Sequence, residues 1–202
     1  AIDFERSGEN AGAVIDNEES EISPYVGATY AVTDRVNAYV SYSDVYQPQE
    51  QYDINGQYLA PTKGKNFETG FKAQWFDDKL LTTFAYFTAK QNNLAAYAGT
   101  NPDTLMFYYK GVSVESTGFE FEVAGQLTEA LRANASYTNI DVEDEQGNDA
   151  NLWAPRDVVT FQLGYTVPQA PEIELGVGGR WQSEISNVDY NVKQGAYFLG
   201  NV

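Results

Sequence analysis

The chain is 202 residues long, enough for one sizeable domain, and it carries a formal net charge of −17 from 29 acidic and 12 basic side chains. This charge repels nucleic acid, and the absence of cysteine and histidine excludes disulfides, thiolate chemistry and a conventional Ser–His catalytic pair within the chain. The 15 tyrosines, 11 phenylalanines and 17 glycines favour β-strands, and there is no run of 18 apolar residues that would predict a transmembrane helix.

The first predicted strands form a hairpin. A polar, acidic lead-in ends in "DNEESE" (16–21), and residues 22–33 and 36–47 then read as two strands joined by the tight turn "DR". In the second strand apolar side chains alternate with mainly polar ones, so the two kinds fall on opposite faces. One face holds Val36, Ala38, Val40 and Tyr42, and the other holds Asn37, Tyr39, Ser41 and Ser43.

A long loop over 48–64, punctuated by proline and glycine, leads into the clearest alternation of the chain, "KNFETGFKAQWF" (65–76). Phe67, Phe71 and Trp75 share one face of this strand, and Glu68 and Lys72 share the other. The periodicity by itself is compatible with a soluble sandwich, which sets a dry core against water, and with a membrane barrel, which sets lipid against a wet lumen.

The rest of the chain repeats this pattern of strands, short turns and long loops. The strand at 80–91 carries aromatic residues on both faces, so its phase stays open, whereas Phe119 and Phe121 clearly oppose Glu120 and Glu122. Strands are predicted at 80–91, 111–125, 131–141, 156–167 and 172–183, with an unfinished ninth at 195–202; short turns at 77–79, 126–130 and 168–171; long loops at 92–108 and 142–153, and a final loop before the ninth strand.

Short turns and long loops alternate strictly, so they gather at opposite ends of the sheet, which is typical of an outer-membrane barrel. Strand length supports this interpretation, because 12 residues at about 3.3 Å each, tilted by about 45°, reach about 28 Å vertically, close to the apolar band of such barrels. Aromatic residues near strand ends, among them Tyr42, Trp75 and Trp181, are typical of interfacial girdles.

The sequence resembles TonB-dependent outer-membrane receptors for ferric siderophores. The resemblance rests on "YVSYSDVYQPQ", "NGQYLAP", "GKNFETGFK", "AYFTAKQNN" and "GVSVESTGFEFEVAGQL", with Pro155 and Arg156 as the re-entry after a long loop, and it covers most of residues 24–183. The matching residues are Tyr39, Ser41, Tyr42, Tyr46, Pro48 and Gln49; Asn55, Gly56, Leu59 and Pro61; Gly64, Lys65, Asn66, Glu68, Gly70 and Lys72; and Ala85, Phe87, Gln91 and Asn93.

The resemblance implies an all-β antiparallel transmembrane barrel of 22 strands, of which this chain supplies eight or nine. Residues 1–202 are expected to be part of one barrel domain, with the plug and the barrel ends outside the chain. The implied function is import of a ferric siderophore across the outer membrane of a Gram-negative cell with TonB-derived energy. The expected partners are the siderophore, the TonB complex through an N-terminal region, and outer-membrane lipid and lipopolysaccharide. No nucleic acid, no catalysis and no cofactor are expected, because iron arrives with the cargo.

The motif residues are expected to be mainly architectural. Glu68 and Lys72 would line the lumen, and Gly70 and Gly118 would leave room for a plug or relieve curvature. Ligand-binding groups are expected in the long loops and the upper lumen, where aromatic side chains can stack on an organic chelate or donate hydrogen bonds to it. The candidates are Tyr46, Tyr97, Tyr108, Tyr109 and Trp153, with girdle or loop packing as the alternative role of each.

Three alternatives stay open at this point. The pair Glu120 and Glu122 has the residue types of a glycosidase, although a wet lumen explains alternate acids more simply. A soluble calcium-dependent sandwich would use "DVEDEQGND" (141–149), but an EF-hand loop requires glycine where Gln146 stands. A TonB-dependent transporter of another cargo, such as cobalamin or a glycan, shares every fold argument given above.

Overall fold

The structure, a computed structural model, describes residues 2–10, 13–187 and 191–202, with side chains from residue 22 onward. The described residues form the strands β1 (Ile2–Asn10), β2 (Ala13–Glu21), β3 (Tyr25–Ala31), β4 (Val36–Gln47), β5 (Thr62–Trp75), β6 (Leu80–Thr100), β7 (Phe107–Gln126), β8 (Leu131–Asp144), β9 (Asp157–Thr166), β10 (Glu174–Gln182), β11 (Ile185–Asn187), β12 (Val192–Gln194) and β13 (Tyr197–Asn201). Within this part of the chain, no helix is long and apolar enough to cross a membrane.

Nine strands form one antiparallel sheet, in the order β13-β10-β9-β8-β7-β6-β5-β4-β3. From β3 to β10, neighbours in space are neighbours in sequence, as in an up-and-down barrel wall. The sheet is open in this chain, with β3 and β13 at its edges. This arrangement confirms the predicted all-β antiparallel fold class.

The predicted strands agree closely with those of the sheet, and β4 has the predicted limits of 36 and 47. The loop predicted at 92–108 is wrong, because most of it is strand. β6 continues to Thr100 and β7 begins at Phe107, so the two strands project as a long hairpin beyond their neighbours. The asparagines and glycine that resemble loop signals are accommodated by register shifts between Gln91 and Leu94 and between Tyr97 and Gly99.

Two further predictions of irregular structure need correction. The acidic lead-in forms the hairpin β1–β2, a sheet of its own, and the final loop contains the short pair β11–β12. The backbones of both segments pair although their side chains show little alternation. Alternation of apolar and polar side chains is the signal by which a sequence predicts a strand, so neither pair was predicted.

The long connections lie at one end of the main sheet, here called the long-loop end, and the tight turns at 32–35, 76–79 and 127–130 lie at the other, the short-turn end. The turn at the end of β5 is unusual, because Phe76, Asp77 and Asp78 all have positive φ. The predicted asymmetry between the two ends is therefore present.

The sheet has one apolar and one polar face, and both follow from strand register. A single row of paired residues on the apolar face runs across six strands from Ala38 through Phe71, Phe84, Phe121 and Tyr137 to Val159. Phe71 is 52% exposed and Phe84 is 45% exposed, so this face is not covered within the chain. The neighbouring row on the polar face contains Lys72, Thr83, Glu122, Ser136 and Thr160.

Register also resolves the phase of β6. Phe84 and Tyr86 belong to the apolar face, and Phe87 belongs to the polar face, where its ring covers Gly118. Tyr39 covers Gly70 in the same way. The space above both glycines is filled by an aromatic ring of a neighbouring strand, so within the wall these glycines make room for Tyr39 and Phe87.

The upper boundary of the apolar band follows one row of paired residues over four strands and then steps toward the short-turn end. On the apolar face, the first charged residues above the band are Asp44, Lys65, Lys90 and Glu115 in β4 to β7, which share one row. In β8 and β9 they are Asp141 and Asp157, and Asp157 lies on the row of Thr69, four residues nearer the short-turn end than Lys65.

Candidate functional site

At the long-loop end, the connection between β4 and β5 docks on the β6–β7 hairpin through Gln49. The Gln49 Nε2 donates to the carbonyl oxygens of Ala60, at 2.6 Å, and Asn93, at 2.7 Å. Its Oε1 accepts the backbone N–H of Ala95 at 2.9 Å. One side chain therefore joins both ends of the 48–61 loop to β6.

Asn93 completes this connection from the other side. It lies at the β6 bulge with a φ of 64°, and its Nδ2 donates to the carbonyl oxygen of Ala60. Its Oδ1 occupies the position where Gly111 would carry a Cβ, so a larger residue at 111 would require the Asn93 side chain to move. We call Gln49 and Asn93 the loop clamp; both belong to the sequence motifs, and their role in joining two loops emerges only in three dimensions.

The 48–61 loop has an ordered tip. Tyr52 and Tyr58 form an antiparallel bridge, their rings stack at 4.5 Å between centroids, and their hydroxyls are 2.9 Å apart. The Asp53 carboxylate accepts the backbone N–H groups of Asn55 and Gln57, and Gly56 supplies a φ of 77°. This tight Asp-headed turn makes the loop a small hairpin rather than a random coil.

The same turn recurs in the acidic loop after β8. Asp144 accepts the backbone N–H groups of Gln146 and Asn148, and Gly147 again has a φ of 77°. Hydrogen bonds from the backbone and side-chain amides of Asn148 hold the pKa of the Asp144 carboxyl below its ordinary value. The Asp144 carboxylate therefore stabilises its own turn by accepting backbone N–H groups. Asp144 is one of the acidic residues in the stretch that was considered for calcium binding.

A cavity of about 310 Å³ lies between the 48–61 loop and the tip of the β6–β7 hairpin. Its wall combines aromatic rings, a thioether and amides, and Asp53 is the one charged group among the described lining residues. The lining residues are Tyr52, Asp53, Ile54, Asn55, Gly56, Asn101, Thr104, Met106, Phe107 and Tyr108. Such a wall can stack on a planar ligand group and donate hydrogen bonds to it.

Two hydrogen bonds hold the two sides of the cavity together. Tyr109 N–H donates to the carbonyl oxygen of Tyr52 at 2.8 Å. The Asn101 Nδ2 donates to the carbonyl oxygen of Ile54 at 2.9 Å. The shape of the cavity therefore depends on the docking of one loop on the other.

The five residues predicted from the sequence are brought together only in part. Tyr108 lines the cavity, and Tyr97 and Tyr109 meet edge to face at 6.2 Å beside Phe107. Tyr46 lies on the apolar face with the Lys63 ammonium 5.6 Å from its ring centroid. Trp153 lies in the loop after β8, is 65% exposed and does not line the cavity.

Sequence reasoning missed Tyr52, Phe107 and Asn101. A usable signal was present for the first, because "NG" at 55–56 lies between two tyrosines and predicts a tight hairpin turn. Phe107 and Asn101 carry no comparable signal, since their approach to the loop depends on the length of the projecting hairpin.

On the polar face, Glu68 and Lys72 belong to a cluster centred on Tyr39. The Tyr39 hydroxyl donates to Glu68 Oε1 at 2.6 Å, and the Lys72 ammonium lies 5.1 Å from the Tyr39 ring centroid. Both charged residues thus lie on the polar face, as predicted, and each has a contact that reduces the cost of its charge.

One amphipathic antiparallel sheet, with an uncovered apolar band, a polar opposite face and long loops at one end, defines the wall of an outer-membrane β-barrel. The family model described as "TonB dependent receptor-like, beta-barrel" matches residues 3–202, so the chain belongs to that family and lies in the outer membrane. This excludes the soluble sandwich, and the family is one of receptors and transporters rather than enzymes.

Among its relatives, the chain is 32% identical over 183 residues to the ferripyoverdine receptor of Pseudomonas aeruginosa, covering 86% of this chain and 22% of the receptor. It is 29% identical to the ferrichrome outer membrane transporter/phage receptor of Escherichia coli K12, covering 93% of this chain and 26% of that protein. The crystal structure of the P. aeruginosa ferripyoverdine receptor bound to ferripyoverdine matches with a TM-score of 0.82 at 30% identity, over 98% of this chain and 28% of that one. The chain therefore spans about a quarter of the length of these relatives.

Proposed function

We propose that the chain is part of a receptor that binds a ferric siderophore at the cell surface and imports it through the outer membrane with TonB-derived energy. The observation that carries this proposal is the cavity of about 310 Å³ at the long-loop end, lined by Tyr52, Phe107 and Tyr108. Family membership and the names of the relatives support the cargo class. In this proposal residues 1–202 belong to one barrel domain, and the plug and the contact with TonB lie in other parts of the protein.

The cavity suits a neutral or weakly charged portion of a chelate better than a dense anion. Tyr52, Phe107 and Tyr108 provide π faces, and Asn101 provides an amide next to them. Asp53, the one charged group among the described lining residues, already accepts two backbone N–H groups of its own turn. We therefore assign stacking on the organic part of the siderophore to this cavity, while iron remains coordinated by the siderophore itself.

Of the residues predicted from sequence, Tyr108 is the first to test. Tyr97 and Tyr109 act in this proposal by supporting Phe107 at the cavity wall, since the Phe107 ring meets Tyr97 at 5.7 Å and Tyr97 meets Tyr109. Tyr46 and Trp153 lie outside the cavity, and a ligand role for them stays a prediction.

The function is tested by deleting the gene of the full-length receptor and measuring growth under iron limitation with a panel of siderophores. At least one siderophore should fail to support growth of the deletion strain and should support growth again once the receptor gene is restored. If all siderophores still support growth while uptake of another nutrient, such as cobalamin or a glycan, is lost, the iron assignment is wrong.

The site is tested separately with the purified full-length receptor. Tyr108→Ala should weaken binding of the ferric siderophore about tenfold, because loss of an aromatic anchor in a binding site usually costs more than about 1 kcal/mol. Leu105→Ala is the matched control, since Leu105 lies at the same hairpin tip, is 79% exposed and does not line the cavity. Equal effects of the two substitutions would remove the cavity from the binding site without affecting the growth result.

A further inference from the structure

Two tyrosine hydroxyls lie side by side in the hairpin of the 48–61 loop. The oxygens of Tyr52 and Tyr58 are 2.9 Å apart, and the two rings stack with 4.5 Å between their centroids. Both residues are partly exposed, and Tyr52 also lines the cavity of about 310 Å³. The pair therefore places two phenol oxygens next to each other at the wall of the proposed binding site.

Backbone pairing on either side of the two tyrosines fixes this arrangement. Toward the tip of the loop, the Asp53 N–H donates to the Gln57 carbonyl oxygen at 2.7 Å. Toward its base, the Leu59 N–H donates to the Gln51 carbonyl oxygen at 2.9 Å. The tyrosines between them form a non-hydrogen-bonded pair of the bridge, the kind in which opposed side chains come closest. The two oxygens are thus held at their separation by the hairpin itself.

The separation of the two oxygens matches one edge of an octahedral metal site. An octahedral cation with metal–oxygen distances of about 2.0–2.1 Å has neighbouring oxygens about 2.8–3.0 Å apart. Ferric iron is a hard cation that forms octahedral complexes with oxygen donors, and tyrosine phenolate is among its ligands in proteins. Stacking of the rings does not require the hydroxyls, since two phenylalanine rings stack as well. The paired oxygens are therefore a feature separate from the packing of the hairpin.

Two phenol oxygens fill only two of the six positions around an octahedral ion, so the other donors must arrive with the iron. Within the described part of the chain, no group of three or more acidic side chains could hold a metal ion. A siderophore with two bidentate groups, such as two hydroxamates, keeps four of its own oxygens on iron and leaves two positions to water. A hexadentate siderophore leaves none. The pair therefore fits one class of cargo, the ferric chelates with four donor oxygens.

We propose that Tyr52 and Tyr58 together coordinate the ferric ion of a siderophore that supplies only four donor oxygens. This inference rests on the proposed function, because it names the class of chelate that the receptor takes. Two bonds form between iron and the phenolate oxygens, and the two bonds between iron and water break. Each phenol proton passes to one of the departing waters, which leaves as hydronium, and the iron stays ferric throughout. The organic part of the siderophore lies against Tyr108 and Phe107 in the cavity.

The test uses resonance Raman scattering of the purified full-length receptor, because tyrosine ring vibrations are enhanced when a phenolate is bound directly to ferric iron. The probe is the ferric complex of a synthetic dihydroxamate, prepared with one chelator per iron. Tyr52→Phe and Tyr58→Phe keep the stacked rings and remove one oxygen each. Each variant should lower the tyrosine signal and weaken binding at least about tenfold, the loss that follows removal of even an outer partner of a metal ligand. The double variant should abolish the signal.

Two controls separate coordination from other effects. Tyr42→Phe is the matched substitution, since it also removes a hydroxyl near the long-loop end, one that donates to Asp44 at 2.6 Å on the apolar face. It should change neither the signal nor the affinity for the dihydroxamate complex. The ferric complex of a hexadentate trihydroxamate is the second probe, and it should give no tyrosine signal because its iron has no open position.

The proposal is overturned if the dihydroxamate complex does not bind, if it binds without a tyrosine signal, if the double variant keeps the signal, or if Tyr42→Phe lowers it equally. Growth with the siderophore panel is an independent result. A receptor that supports growth on a hexadentate siderophore and shows no tyrosine signal with the dihydroxamate complex keeps the proposed function and refutes this inference. A panel in which no siderophore depends on the receptor refutes the proposed function itself.

Discussion

Replacing Gln49 by alanine should release the 48–61 loop from the β6–β7 hairpin without unfolding the barrel. The substitution removes three hydrogen bonds, which Gln49 forms with Ala60, Asn93 and the N–H of Ala95. At about 0.5–1.5 kcal/mol each, their net contribution is about 2–3 kcal/mol, reduced where water replaces them. The Ala60 carbonyl oxygen keeps a hydrogen-bond partner after the substitution, because Asn93 also donates to it.

Hydrogen exchange of the full-length receptor measures this effect at single amides. A loss of about 2–3 kcal/mol in local opening free energy should accelerate exchange of the Ala95 amide by about 30- to 150-fold. The Tyr109 amide, which donates to Tyr52 in the docked loop, should accelerate with it. The melting temperature should change little, since the sheet ladders are untouched.

The matched control is Gln57→Ala in the same loop. Gln57 contributes its backbone N–H to the Asp53 turn, and its side chain is exposed, so the substitution leaves the clamp in place. If Gln49→Ala and Gln57→Ala accelerate the Ala95 amide equally, or if neither does, the loop clamp does not hold the two loops together.

Three further predictions concern backbone geometry and pH. Gly70→Ala should destabilise the barrel by about 1–3 kcal/mol, measured as a lower melting temperature, because the new methyl group overlaps a carbonyl oxygen of β6. Gly176→Ala should be tolerated, since the nearest atom to the new methyl group is 3.9 Å away. Equal shifts in melting temperature would contradict the steric argument. Gly147→Ala should make the loop after β8 more sensitive to protease, since its φ of 77° costs a residue with a Cβ about 1–2 kcal/mol, and Gly195→Ala, which has no positive φ, should not. Hydrogen bonds lower the pKa of Asp144, so the stability that the ionised carboxylate gives its turn is complete above the ordinary carboxyl pKa and is lost as the pH falls through the lowered pKa. Hydrogen exchange of the turn amides, measured as a function of pH, should show this loss. Asp144→Asn should abolish the pH dependence.

Alternation along the chain determined the wall of the barrel. Over 36–42 in β4 and 67–75 in β5, mainly apolar side chains alternate with mainly polar ones, and this pattern predicted the strands, their two faces and the outward direction of Phe71 before any pairing was known. Short and long connections likewise predicted the two ends. These properties are local, because each depends on residues a few positions apart.

The loops could not be predicted in the same way, because their structure depends on distant partners. Asn92 and Asn93 are loop-forming residues by local preference, yet they lie inside a strand, since β7 pairs across them and Gly111 makes room for the Asn93 side chain. Tyr52 approaches Tyr108 only because Gln49 fixes its loop to that projecting hairpin.

Strand register decided the remaining features. Lys65 lies in β5 and Lys90 in β6, and only the pairing of these two strands makes the two lysines neighbours. In the same way, Gly70 and Gly118 carry no information about what covers them until Tyr39 and Phe87 arrive from neighbouring strands. Sequence periodicity thus determined which face each side chain lies on, whereas tertiary pairing decided which side chains meet, because residues far apart in the chain become neighbours only through the hydrogen-bonded ladder.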